Sequence, residues 1–358
     1  MKKKITIKEI AKILMVSVST VSKAMNDSPE ISEKTKKKVK ELAKFYGYVP
    51  NHIAVSLKNQ STFNIGVIIP DIQNSFLAEV LKNIEVHAKK NGYRIITFFT
   101  GEKLKEERES LNILSNGMVE GIIVCPSEET FVERQFEHFK NIAETTPIVT
   151  FDRLHKELNF NSVSVDDDQS ILKACDHFQS TYAKNILFVS SIGWLSVGKT
   201  RRRTFTGFIE NNASVTGETI EEHDLDELRK KIEARITDDS QPNIDAILGA
   251  DIESTSIASA SISRNKLKFI DEISLIGYVN KKQNELQFPR VSYINQYPEK
   301  VGEKAVELLI SNLKQDQKKI TQEIIKTEIV MLNLTSMDQR IVLRSVYHNK
   351  DKSVCTSW

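Results

Sequence analysis

Apolar positions in the first fifty residues recur at helical spacing in short bursts. Ile7, Ile10, Ala11 and Leu14 fall at i, i+3, i+4 and i+7, the stripe of an amphipathic helix. Thr6 and Glu9 form a T-x-x-E capping box at its start. After a two-residue gap, Met15-Val16, Ser17 suits the N-cap of a second short helix. Its Val21 and Ala24 face inward; Val18, Ser19, Ser22, Lys23 and Asn26 fall on the other side. A third helix is predicted from Ser32 to Tyr46, with the stripe Val39, Leu42, Ala43 and Tyr46 and Gly47 as a left-handed stop. Two short helices joined by a tight turn, with a third packed across them, make a helix-turn-helix pattern. A generic interaction bundle fits the same spacing. The second helix argues against it: its outer face lacks long acids and offers short side chains that permit close approach to a groove. Pro50 then opens a helix-permissive stub ending at Lys58. An isolated helix shorter than about 12–15 residues is marginal in water, so the stub is expected to order only against a partner.

From Asn64 the pattern changes. Short apolar runs at Ile65–Ile69, Ile95–Phe99, Gly121–Cys125, Ile148–Phe151, Val163–Val165, Ile186–Val189, Ala246–Leu248, Ile273–Ile276 and Val291–Ile294 predict strands. Helix-length segments such as Phe76–Lys90, Glu106–Leu114, Ile171–Thr181, Leu225–Ile236 and Val301–Leu313 separate them. Strands alternating with helices predict parallel sheets covered on both faces. A body of this length exceeds one ordinary core, which predicts two lobes.

Charge sharpens the division. Residues 1–60 hold thirteen Lys, no Arg and five acids, which leaves +8; the whole chain carries +2, so residues 61–358 carry −6. A basic end on an acidic body points to a polyanionic partner, although a lysine-rich solvated face gives the same count.

Four segments carry a family likeness: Thr6-Ile7-Lys8-Glu9-Ile10-Ala11, Val16-Ser17-Val18-Ser19-Thr20-Val21-Ser22-Lys23, Tyr46-Gly47-Tyr48-Val49-Pro50-Asn51 and Ile65-Gly66-Val67-Ile68-Ile69-Pro70-Asp71. They closely resemble the LacI/GalR family of bacterial transcriptional regulators over roughly residues 5–335. The resemblance implies a helix-turn-helix DNA-binding head at 1–49 and a hinge helix with linker at 50–62. It implies an α/β two-lobed ligand-binding and dimerisation body at 63–339 that resembles periplasmic sugar-binding proteins. The tail 340–358 lies beyond it, shows no heptad repeat, and receives no role. By this resemblance Val18, Ser19 and Lys23 reach base edges in the major groove. Ser17, Thr20, Ser22 and Asn26 approach phosphates, and Thr6 joins the DNA-binding set. Asn51, Ala54, Leu57 and Lys58 fall on the hinge helix, where Leu57 would wedge between base steps of the minor groove. Lys23 stands where Arg is commoner, and Lys lacks the bidentate fork that Arg offers guanine. The implied partners are double-stranded operator DNA, a second copy of the chain, and a small-molecule effector of carbohydrate type.

Ligands of such sheets sit outside the carboxyl ends of the strands. That rule selects Asp71, Ser75, Phe76, Ser127, Asp152, Arg153, Asp251, Asn280 and Gln296 as effector candidates. Carboxylates, amides and an aromatic plate suit a polyhydroxyl ligand; for each acid alone, capping a loop is an equal reading. The chain departs from the family at three places. Thr204 stands three residues before Gly207-Phe208 where Arg is customary, with Arg203 the candidate replacement; Ala250-Asp251 replaces Asn-Asp; and Asn280 stands one position beyond the customary Asp. A sensor that answers to another protein, or to nothing, is the competing reading.

Gly193-Trp194-Leu195-Ser196-Val197-Gly198-Lys199-Thr200 matches the letters of a P-loop, G-x-x-x-x-G-K-[ST]. A nucleotide-binding enzyme is therefore the alternative function. Bulky Trp194, Leu195 and Val197 in the loop, and the three residues between it and the preceding strand, speak for a chance match. Otherwise the expectation is no enzyme, no cofactor and no metal site: the seven His form no paired-ligand spacing. Cys125, Cys175 and Cys355 read as reduced thiols, two of them in the core. The absence of an eighteen-residue apolar run or a secretory signal predicts a cytoplasmic protein.

Overall fold

The computed structural model describes residues 5–48, 61–265, 273–286, 290–314 and 320–332. Asn51, Ala54, Leu57 and Lys58, the tail 340–358 and Cys355 lie outside the described residues. The chain divides into two units, Met1–Phe63 and Asn64–Trp358.

The first unit holds three helices, α1 (Ile7–Leu14), α2 (Val18–Met25) and α3 (Glu33–Phe45). Each starts where a hydroxyl satisfies an orphan amide. Thr6 accepts from Glu9 N while the Glu9 carboxylate reaches back to Thr6 N, Ser17 accepts from Thr20 N, and Ser32 accepts from Thr35 N. Met15 closes α1 in the left-handed region at φ 51°, and Gly47, at φ +62°, lies just past α3. Ile10, Ala11, Val21, Ala24, Val39 and Ala43 form the core of this unit. Tyr46, placed on the inner stripe by periodicity, is exposed, because the helix ends one residue before it.

The second unit contains two six-stranded sheets. Its strands are β1 (Asn64–Ile69), β2 (Arg94–Phe99), β3 (Gly121–Val124), β4 (Ile148–Phe151), β5 (Asn161–Val165), β6 (Asn185–Ser190), β7 (Thr216–Glu221), β8 (Ala246–Gly249), β9 (Ser274–Gly277), β10 (Ser292–Asn295), β11 (Gln322–Ile325) and β12 (Glu328–Val330). The first sheet runs β11-β5-β4-β3-β1-β2 and the second β12-β10-β9-β8-β6-β7. All pairings are parallel except β10 with β12. Strand side chains alternate between faces. Ile65, Val67 and Ile69 join one cluster with the helices Ser75–Lys90 and Pro298–Lys314; Ile68 joins Leu111, Leu114, Phe136 and Phe139 on the other. The second sheet repeats this scheme. Phe188 packs with Phe178 and Phe205, while Leu187 and Val189 pack with Leu228 and Ile262.

The chain crosses between lobes three times, after Val165, after Asn295 and after Ile325. The nine predicted strands are present within a residue or two at each end. Sequence reading missed β7, β11 and β12, all of them sheet edges. Cys125 and Cys175 are buried free thiols.

Candidate DNA-reading face and ligand cleft

On the first unit, α2 turns Val18, Ser19 and Lys23 outward, all exposed, while Val21 and Ala24 are fully buried. The Ser17 hydroxyl lies 2.7 Å from that of Ser19 and 2.8 Å from that of Thr20, so three hydroxyls cluster at the helix start. Helix N-termini suit anions, because free amides and the helix dipole point outward there. Asn26 caps the far end with its backbone. Lys23 Nζ is held by the carboxylate of Glu30, an exposed ion pair that sequence reading did not foresee. Thr6 is occupied in its capping box with Glu9.

In the second unit a cavity of about 300 Å³ opens between the carboxyl ends of the two sheets. Of the residues singled out from sequence, Phe76, Asp152, Arg153, Asp251 and Gln296 line it. Asp152 sits at φ 66°, a conformation L residues rarely adopt. Burial pushes its carboxyl above the usual range, against the pull of Arg153. Arg153 is 4% exposed. Its guanidinium forks onto Glu102 at 2.6 and 2.7 Å and reaches Pro126 O at 3.0 Å. Its Nε has no partner and lies 3.9 Å from Asp152 Oδ2. Asp251 caps the following helix through Ser254 N at 2.8 Å and also accepts from Ser191 N and Oγ at 2.8 and 2.7 Å. It therefore ties the end of β6 to the end of β8 as well as facing the cavity.

Five candidates, Arg203, Ser127, Asp71, Asn280 and Ser75, do not line this cavity. Arg203 is exposed and does not line the cavity; Arg201 does. Two residues along a helix turn about 200°, so choosing 203 instead of 201 selects the opposite face. Arg201 is 4% exposed. It pairs with Asp167 at 2.6 Å, donates to Ala250 O at 2.7 Å, and lies 3.9 Å from the centroid of the Tyr278 ring. Ser127 is fully buried behind the cavity, hydrogen-bonded to Thr100 and Glu107. Asp71 is exposed and closes its own turn onto Gln73 N at 2.9 Å. Asn280 accepts from Gln283 N at 3.1 Å and, with Ser75, lines a neighbouring cavity of about 200 Å³ that shares Phe76, Ile252 and Gln296 with the first.

Sequence reading missed Arg201, Glu102, Tyr278 and Trp194. Trp194 had a signal: it is one of two Trp in the chain and follows a strand. Its indole stands edge-on to His223 with centroids 4.3 Å apart, and its buried Nε1 has no partner.

The P-loop letters do not form a phosphate cradle. The helix Ser196–Glu210 begins before Gly198, so Gly198-Lys199-Thr200 lies inside its first turns. Lys199 N donates to Leu195 O and Leu195 N to Ile192 O, so these amides are spent. Leu195 and Val197 are buried, and Lys199 points to solvent. Among the described residues no group of three or more potential metal ligands occurs, and no helix is long and apolar enough to cross a membrane.

The family model for bacterial regulatory proteins of the lacI family matches residues 6–51. The catabolite control protein A of Priestia megaterium is 28% identical over 92% of this chain and 96% of its own length. The ribose operon repressor of Bacillus subtilis (strain 168) is 28% identical over 86% and 92%. Among solved structures, the lac repressor dimer bound to operator and the anti-inducer ONPF superposes with a TM-score of 0.79 at 17% identity, over 92% of this chain and 98% of that one.

Proposed function

The chain belongs to the LacI family of bacterial regulatory proteins, and from that premise we propose how its parts divide the work of a transcriptional regulator. Two heads, one per protomer of a homodimer, read the half-sites of a pseudo-palindromic operator through α2. Residues 50–62 join head to body, and the cleft of the second unit takes a small effector of carbohydrate type whose binding alters DNA affinity. The observation that carries the DNA half is the outer face of α2, where hydroxyls and one Lys stand on a basic head with no bulk to bar a groove. Val18, Ser19 and Lys23 are assigned to base edges; Ser17, Thr20, Ser22 and Asn26 are assigned to phosphates. The effector half is supported by Arg153, Asp152, Gln296 and Phe76 converging on one cavity, and by the likeness to a ribose operon repressor.

Selection of bound fragments from random duplex DNA tests the first half. It should enrich one pseudo-palindrome, and affinity for it should fall steeply with salt. About six to ten phosphate contacts cost roughly 10³–10⁵ in affinity between 50 and 200 mM salt. Absence of an enriched sequence, or binding indifferent to salt, would sink the reading.

A further inference from the structure

The cleft proposed above as the effector site is strongly acidic. Five carboxylates line it, from Glu102, Glu128, Asp152, Asp251 and Glu253, against two guanidinium groups. Both cations are already engaged. Arg153 forks onto Glu102, and Arg201 pairs with Asp167 behind the wall. Asp251 accepts only from neutral donors, Ser191 and Ser254. Asp152 comes no nearer than 3.9 Å to the Arg153 Nε. Burial and the neighbouring Asp251 push the Glu253 carboxyl above its usual range, and burial does the same to Asp152. The lining thus carries five carboxylates to two guanidinium groups, and both guanidinium groups are already committed to acids, Arg153 to Glu102 and Arg201 to Asp167. Two residues of the lining, Arg153 and Trp194, each also hold a buried side-chain nitrogen without a hydrogen-bond partner. Buried donors of this kind are costly to leave unmade.

We propose that the effector of this cleft is a small hydroxylated cation, of the amino-sugar or amino-polyol class, and not a neutral or phosphorylated sugar. This rests on the cleft being the effector site. The ammonium of the ligand sets its charge against Asp152 and Glu253, and its hydroxyls meet the neutral polar side chains of the lining, Gln296 and His223, beside the Trp194 ring. An anionic sugar phosphate meets the unbalanced carboxylates and is repelled, since each like-charge contact costs more in a low-dielectric cavity than in water.

The test is a thermal-shift and calorimetric panel of matched sets on the full-length protein at pH 7.5. Each set holds an amine, its N-acetylated form, its neutral parent and its phosphate: glucosamine, N-acetylglucosamine, glucose and glucose 6-phosphate, with the galactose and mannose sets and the open-chain glucamine–sorbitol pair. The expected result is that stabilising members are amines, binding at least about tenfold tighter than their neutral partners, as a charge-assisted hydrogen bond supplies. Glu253→Gln, at a half-buried helix start, should erase that preference while the ligand-free melting temperature stays within a few degrees. A neutral sugar that binds as well as its amine overturns the proposal but leaves the carbohydrate reading standing. A preferred phosphate does the same. A panel in which no member binds overturns both.

Discussion

At the scale of single residues, Asp152, assigned by our proposal to the effector cleft, carries a cost to stability. It takes a left-handed backbone conformation, and burial raises its carboxyl pKa from an ordinary value of 3.8. A carboxyl raised on folding contributes most below its unfolded pKa, and that contribution is lost as pH rises through the folded value. At neutral pH the ionised form is therefore a cost. Asn tolerates the same conformation, so Asp152→Asn should raise the melting temperature of the ligand-free protein at pH 8 and leave it nearly unchanged at pH 4. A variant that melts lower at pH 8 than the parent refutes this account. On the head, Glu30 holds Lys23, and if Lys23 contacts DNA as proposed, that ion pair has to break first. Exposed ion pairs are worth about 0–1 kcal/mol, and Glu30→Gln should tighten operator binding by up to about fivefold. Glu41→Gln, which removes an equal charge from α3, serves as control. An equal gain from both variants would reduce the Glu30 effect to overall charge.

At the scale of elements, legibility followed burial. Strands inside the sheets, such as Ile65–Ile69 and Ile186–Val189, are covered on both faces and read as continuous apolar runs. The edge strand Thr216–Glu221 is mostly exposed or half-buried and carries one strongly apolar residue, Ile220, so no run announced it. The short edges Gln322–Ile325 and Glu328–Val330 each carry only an apolar pair, Ile324-Ile325 and Ile329-Val330, and were passed over although Met331-Leu332 extends the second pair into a run. The cleft was half legible. The rule that ligands meet strand ends picked out Asp152, Arg153, Asp251 and Gln296, which line the cavity because they follow strands closely. It could not find Arg201, which reaches the site from the second turn of a helix, nor tell Ser127, buried behind the wall, from a residue facing the ligand. The loop with P-loop letters acquires a different meaning. A Cβ on Gly198 would stand 2.1 Å from Ile192 O, so this Gly lets the helix start close onto the loop that carries Trp194. Gly198→Ala must push that backbone aside. It should cost about 1–3 kcal/mol, in the range of overpacked sites, and weaken effector binding through Trp194. A variant with unchanged melting temperature and unchanged ligand affinity would show that the loop moves freely.

At the scale of the whole molecule, two separately cored units carry different tasks. The head's core is six buried residues with the side chains around them; the body's two sheets are joined by three chain crossings, so its lobes are covalently bound into one unit although each has its own core. A ligand adds stability only to the unit whose folded state binds it, by RT ln(1 + [L]/Kd), about 2.7 kcal/mol at a hundredfold excess over Kd. Scanning calorimetry of the DNA-free protein should therefore resolve a smaller transition for the head and a larger one for the body. A saturating effector, the best-binding amine of the panel, should raise the larger transition and leave the smaller in place. Operator DNA should raise the smaller one, and that rise should shrink with added salt because it depends on phosphate contacts. If the effector alone shifted both transitions together, head and body would unfold as one cooperative block. The division of labour between a DNA-reading unit and a ligand-sensing unit would then have to be abandoned.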